Sequence, residues 1–161
     1  MLRIFDGRPV AIRYRRDLRD TAGNPAHAAT SIPGRLIVLD PELKREPREH
    51  HRILMHELFH FAWVKLGNPA RWAWEAHLAS EWKSRVRGEA GWSAEWRKQK
   101  LSAHDVSQRS WRWREYCCES FCDTGAWIKC RVDTENTLRP PARRARIAWF
   151  EGYFGDRLFP I

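Results

Sequence analysis

Hydrophobic and polar residues follow two different patterns along the chain, and the change between them separates a strand-forming start from a helical remainder. Two short apolar runs, Leu2 to Phe5 and Pro9 to Tyr14, flank the pair Asp6-Gly7. This dipeptide supplies the positive φ angles of a tight turn, so we expect an antiparallel hairpin. Asp20 to Gly34 has no periodicity and is expected to be a loop, whereas Arg35 to Leu39 (RLIVL) predicts a buried strand.

From Arg48 onward the pattern is helical. Long stretches run without glycine or proline, and glycine or proline residues mark the breaks. The expected helices are Arg48 to Leu66, Pro69 to Val86, Ser93 to Leu101, His104 to Cys130 and Ala142 to Tyr153. A small antiparallel or mixed sheet at the start, packed on four or five helices, is an α+β fold, and the 161 residues fit one domain over 1–161.

The composition is that of a folded protein with an excess of positive charge. Hydrophobic residues make up 43% of the chain, and the formal net charge is +9. Such a charge attracts polyanions, but the arginines are spread along the chain and no nucleic-acid-binding motif accompanies them. Nucleic acid is therefore a partner that the charge permits and no motif supports.

The cysteines and the absence of long apolar runs bear on the compartment. No stretch approaches the roughly 18 apolar residues of a membrane span, and the start lacks the apolar core of a signal peptide. We therefore expect a cytoplasmic protein without a membrane span. The cysteines lie in one helical stretch and are interpreted as reduced and packed like small hydrophobic residues, with a cysteine-containing metal site as the alternative: Cys117, Cys118, Cys122 and Cys130.

The stretch HELFH, residues 56–60, carries the strongest chemical signal in the sequence. His56 and His60 are four positions apart, which on a helix places both imidazoles on one face, within reach of one zinc ion. Glu57 lies beside His56, where its carboxylate reaches a water in the open coordination position and acts as general base. Apolar residues surround these three side chains, and burying them without partners would cost roughly several kcal/mol, so a metal site accounts for them best.

A catalytic zinc ion takes a third protein ligand, for which a downstream glutamate is the first choice. Glu115, Glu119 and Asp123 follow one another at the spacing of a helical turn in REYCCESFCD. HELFH followed by Glu119-x-x-x-Asp123 resembles the gluzincin metallopeptidases, with a zincin-like active-site helix. The resemblance covers residues 35–66 and 111–128, and it implies that Glu119 completes the zinc site and that Asp123 orients one histidine.

The same resemblance bears on the rest of the chain. Residues 68–110 would be a helical insertion that covers or shapes the cleft, and RLIVL resembles the edge strand along which such enzymes lay an extended substrate. Shifted by one turn, the second motif resembles the ImmA/IrrE-like and HtpX-like proteases, with Glu115 as the ligand and Glu119 as its partner. We favour Glu119 as the ligand and place Glu115 beside it.

The function expected from these residues is that of a Zn2+-dependent metallopeptidase acting on a peptide or protein substrate. Glu57 takes a proton from the water, and the donor that stabilises the oxyanion stays open among Tyr116, Tyr153, His77 and His104. One alternative is a SprT-like, DNA-associated protease in which His77 is the third ligand. The other is a non-catalytic, basic nucleic-acid-binding or regulatory module in which the zinc is structural.

Overall fold

The computed structural model describes residues 4–20, 23–155 and 157–161 and has the expected α+β architecture. The described residues form five short strands, β1 (Phe5–Asp6), β2 (Ala11–Tyr14), β3 (Ala28–Ser31), β4 (Leu36–Leu39) and β5 (Phe159–Pro160). They also form a 3-10 helix, Pro41–Arg45, and the helices α1 (Pro47–Lys65), α2 (Asn68–Lys83), α3 (Trp92–Lys98), α4 (Ala103–Ser107), α5 (Trp111–Cys130) and α6 (Pro140–Phe154). Leu2 and Arg3 of the predicted first strand, and Thr21 and Ala22 of the predicted loop, lie outside the described residues.

The strands form two small sheets. β4 is the centre of the larger sheet, with β2 parallel on one side and β3 antiparallel on the other, while β1 pairs in parallel with β5. The predicted hairpin around Asp6-Gly7 is therefore wrong, because each of its strands pairs elsewhere. Gly7 instead allows the backbone just after β5 to approach closely, because a Cβ at this position would lie 2.0 Å from the carbonyl oxygen of Ile161.

Strand β3 lies in the segment that we predicted to be a loop. Its residues are small or polar, so it shows no apolar alternation, and its pairing with β4 decides its conformation. The strand predicted from RLIVL is confirmed as β4, and its Ile37 and Leu39 are fully buried. The expectation that RLIVL forms an edge is wrong, however, because β2 and β3 are the edges of this sheet.

Helix α1 packs along α5, and one glycine sets how close the two helices come. A Cβ at Gly125 of α5 would lie 2.6 Å from the ring of Phe59 on α1. Phe121 of α5 meets Phe59 edge to face at a centroid distance of 5.8 Å and stacks on Phe150 of α6 at 5.1 Å. This aromatic core fixes the two helices that carry the predicted site residues.

The predicted helix His104 to Cys130 is interrupted, which raises the number of α-helices among the described residues to six. Arg109 takes a left-handed conformation with a φ of 50° and so ends the helical run after α4. The side chain of Ser110 then caps α5 by accepting a hydrogen bond from the backbone N–H of Trp113 at 3.3 Å. None of the described helices has both the length and the apolar content that crossing a membrane requires.

Residues 68–110, interpreted above as an insertion, contain α2, α3 and α4 and are fastened to the rest of the protein by buried charges. Arg146 of α6 is fully buried and pairs with Glu81 of α2 and with Glu89 of the loop before α3, each at 2.6 Å. Lys98 of α3 also pairs with Glu89, at 2.9 Å. Burial alone would raise the pKa of Glu89, but the charge and hydrogen bonds of Arg146, the charge of Lys98 and the hydrogen bond from Tyr116 together lower this pKa to about 2.

Candidate metal centre

His56 and His60 project from the same face of α1, one helical turn apart. Their Nε2 atoms lie 3.2 Å from each other, and the two rings meet edge to face at a centroid distance of 4.9 Å. His56 is buried and His60 is partly buried. Each imidazole therefore directs one nitrogen toward the same point.

Glu119 of α5 brings a carboxylate to that point. Its Oε2 lies 3.2 Å from Nε2 of His56 and 3.9 Å from Nε2 of His60. Burial alone would raise the pKa of Glu119, but the hydrogen bond with His56 and the charges of both histidines hold this pKa well below its usual range.

Helix α3 holds the carboxylate of Glu119 from the other side. The hydroxyl of Ser93 donates a 2.6 Å hydrogen bond to Oε2, and Nη2 of Arg97 lies 3.4 Å from Oε1. Through these two contacts, α3, which lies within residues 68–110, reaches Glu119. The sequence did not point to Ser93 or Arg97, because a serine and an arginine on a short helix match no motif.

Asp123, one turn after Glu119, fixes the orientation of His56. Its Oδ1 lies 2.7 Å from Nδ1 of His56, and its Oδ2 accepts a 2.8 Å hydrogen bond from the backbone N–H of Ala94. Burial alone would lower the pKa of His56, but the charge and hydrogen bond of Asp123 raise it well above its ordinary value. The loop before α3 fits closely here, since a Cβ at Gly91 would lie 2.5 Å from the carboxyl carbon of Asp123.

Glu57 faces the same region and is linked to the edge of the sheet. Its carboxylate lies within 4.8 Å of the ligand nitrogens of His56 and His60. The hydroxyl of Thr30 on β3 donates a 2.6 Å hydrogen bond to Oε2 of Glu57. The sequence did not point to Thr30, because its segment was predicted to be a loop, and β3 therefore borders the centre as an unexpected element.

The second ring nitrogen of His60 faces two thiols of α5. Nδ1 of His60 lies 3.6 Å from Sγ of Cys118 and 3.5 Å from Sγ of Cys122. Both cysteines are free thiols, and Cys122 is fully buried. The two nitrogens of His60 therefore face chemically different surroundings.

The two other residues considered as third ligand have different surroundings from Glu119. The side chain of Glu115 is 47% exposed, and its Oε2 lies 3.8 Å from Nε of Arg97. Glu115 is therefore linked to Glu119 indirectly, through Arg97. Nε2 of His77 lies 3.2 Å from Oε1 of Glu81, and its ring stacks on Trp74. Of the three candidates, Glu119 is the one that the fold brings to both histidines.

Two of the remaining candidates for an oxyanion-stabilising donor have partners elsewhere, and the third is exposed. The buried hydroxyl of Tyr116 donates to Glu89 at 2.5 Å, and Tyr153 stacks on Trp149 at a centroid distance of 5.2 Å. His104 is exposed on α4. Among the described contacts, none of these residues reaches the histidines of α1 or the carboxylate between them.

Comparison of the chain with protein-family models, with curated proteins and with solved structures finds no match. The chemistry of this centre follows from the distances and partners given above.

Proposed function

We propose that this chain is a zinc-dependent metallopeptidase, with His56, His60 and Glu119 as the metal ligands and Glu57 as the general base. The observation that carries the proposal is the position of Oε2 of Glu119, which lies 3.2 and 3.9 Å from two Nε2 atoms that are themselves 3.2 Å apart. Ligand atoms about 2.0–2.1 Å from a tetrahedral zinc ion lie ~3.3 Å from one another. Two of the three separations lie near this value and the third is longer, which supports one zinc ion at this point.

The chemistry of the donor set points to the same metal. Two imidazoles and one carboxylate are the ligands of many catalytic zinc sites, which keep a further position open for substrate or water. Asp123 supports this set by accepting the other N–H of His56, as second carboxylates do around zinc. When bound, zinc would polarise a carbonyl group and lower the pKa of water at the open position.

The residues of the chain supply the proton transfer and the orientation. Glu57 accepts a proton from the attacking water and returns it to the departing amine. The hydrogen bond from Thr30 holds one carboxylate oxygen of Glu57, which leaves the other oxygen to carry the proton. Glu57 sits beside His56 in sequence, so the base and the two histidine ligands share one helix, α1.

The sheet offers a place for an extended substrate. β3 is an edge strand of its sheet, and its Thr30 touches Glu57. A peptide that adds to the free edge of β3 by main-chain hydrogen bonds would pass directly beside the general base. We therefore propose a peptide or protein chain, bound in an extended conformation, as the substrate.

Metal content tests the ligand set. We expect about one zinc ion per chain in the wild type after extensive dialysis, measured by elemental analysis. Glu119→Gln should lose the zinc, while Glu115→Gln and His77→Gln should keep it. Zinc that survives in Glu119→Gln and is lost in His77→Gln would contradict the ligand set and favour the DNA-associated alternative.

Hydrolysis of a mixed peptide library, followed by mass spectrometry, tests the activity. Glu57→Gln should keep its zinc and lose roughly 10²- to 10⁴-fold in rate, the usual contribution of a general base. A zinc-loaded wild type that cleaves no peptide, or a Glu57→Gln variant with the full rate, would overturn the proposed function.

A further inference from the structure

Two thiols and one imidazole nitrogen meet on the side of His60 that faces away from His56. Sγ of Cys118 and Sγ of Cys122 lie 3.6 and 3.5 Å from Nδ1 of His60. The three atoms all lie within 4.8 Å of one another. The cysteines are four positions apart on α5, so their sulfurs share one face of that helix.

This spacing is that of a metal site. With the bond lengths that zinc makes to sulfur, about 2.3 Å, and to nitrogen, about 2.0–2.1 Å, and with tetrahedral angles, a metal ion separates the sulfur and the nitrogen by ~3.5 Å. Both observed separations lie within 0.1 Å of that value. A trigonal ion with the same bond lengths would need separations only slightly larger.

Hydrogen bonding alone explains the arrangement less well. The N–H of a histidine ring commonly donates to a carboxylate, a carbonyl oxygen or a water, and the carboxylate of Asp123 is this acceptor for His56. The described partners of Nδ1 of His60 are two sulfurs, and a thiol is both a weak donor and a weak acceptor of hydrogen bonds. The described contacts of the other two cysteines, Cys117 and Cys130, include no histidine, so the convergence is specific to this pair.

We propose that Cys118, Cys122 and Nδ1 of His60 form a second metal site that binds a thiophilic ion of the class of Cu+ or Cd2+. Thiolates select soft ions, and the complete burial of Cys122 suits an ion of low coordination number. The cysteines bind as thiolates, and the ion replaces the proton of Nδ1. The site goes beyond the proposed function and does not require that the chain be a peptidase.

Cadmium titration tests the site. Reduced, metal-free protein is titrated with Cd2+, and the ultraviolet absorption of cadmium–thiolate bonds is followed. In the wild type, this absorption should reach its maximum once one equivalent of Cd2+ has bound at the thiols. Cys118→Ser and Cys122→Ser should each lower it, and the double variant should abolish it.

Matched variants make the result specific. Cys130→Ser changes a cysteine of the same helix outside the cluster and should leave the absorption unchanged. Glu119→Gln should also retain the cadmium–thiolate absorption, because this change removes a ligand from the zinc centre only. The variant therefore distinguishes failure of the proposed function from failure of the thiol site. Thermal unfolding followed by circular dichroism shows that each variant is folded.

A competition with the Cu+ chelator bicinchoninate provides a second measurement. The wild type should take Cu+ from the chelator, and the Cys118→Ser/Cys122→Ser variant should not. A folded wild type without cadmium–thiolate absorption would overturn the proposal. An equal loss of absorption in Cys130→Ser would also overturn it. So would undiminished absorption in the Cys118→Ser/Cys122→Ser variant.

Discussion

The hydroxyl of Thr30 on β3 donates a 2.6 Å hydrogen bond to Oε2 of Glu57 on α1. This contact joins the free edge of the sheet to the residue that we propose as general base. A hydrogen bond to a charged group contributes about 1.5–3 kcal/mol. We therefore expect Thr30→Val to lower kcat/KM for peptide hydrolysis roughly 10- to 100-fold without loss of zinc.

The conservative variant Thr30→Ser is the control for this prediction. It keeps the hydroxyl group and should retain most of the activity. Equal rates for Thr30→Val and the wild type would show that the position of Glu57 does not depend on this contact.

Asp123 is expected to tune the affinity of the centre for zinc. Asp123→Asn replaces the carboxylate next to Nδ1 of His56 with a neutral amide, a weaker acceptor, and loss of such a partner typically costs 10- to 100-fold in metal affinity. A zinc-binding dye in competition with the protein measures the change. Glu115→Gln, which also removes a negative charge from α5, should have little effect, and an equal loss in both variants would point to net charge as the cause.

Gly91 is expected to tolerate no side chain. The Cβ introduced by Gly91→Ala would lie 2.5 Å from the carboxyl carbon of Asp123, so the loop or the aspartate must shift. We expect a loss of about 1–3 kcal/mol in the free energy of unfolding, measured in urea, together with weaker zinc binding. Gly152→Ala, at an exposed position of α6 with no atom within 4 Å of the new Cβ, should instead stabilise the protein by about 0.5–1 kcal/mol.

The buried pair of Glu89 and Arg146 predicts how stability depends on pH. The pKa of Glu89 is lowered from 4.5 to about 2, so the folded protein binds this proton less readily than the unfolded chain does. The resulting stabilisation is complete above about pH 4.5 and is lost as the pH falls toward 2. Its size is ~3 kcal/mol at most.

Urea unfolding of the wild type and Glu89→Gln at several pH values measures this contribution. The wild type should be more stable at neutral pH, and the difference between the two proteins should shrink as the pH falls from 4.5 to 2. A difference that stays constant over this interval would contradict the assignment to Glu89.

The elements that carry the centre could be predicted because their signals are local. The helical pattern around HELFH predicted α1 almost to the residue, and the spacing of Glu119 and Asp123 placed both on one face of a second helix. The fold then brought Glu119 to both histidines. Whether the centre binds zinc stays a prediction.

The parts that the sequence did not reveal all depend on contacts between distant residues. Thr30 lies 27 positions from Glu57, and Ser93 lies 26 positions from Glu119. β3 has too little apolar alternation to be recognised without β4, and the pairing of β1 with β5 joins opposite ends of the chain. Local propensity carries no information about such pairings.

Helix α5 is held against rotation from two sides. Glu119 and Asp123 bond to the histidines and to α3, while Ser120 and Thr124, the next residues along the helix, accept hydrogen bonds of 3.0 and 3.1 Å from Arg146. A turn of α5 about its axis would break both sets of bonds. The side chains that we propose as ligands are therefore held in place without a metal ion, so binding an ion would immobilise few side chains and would meet little opposition from conformational entropy.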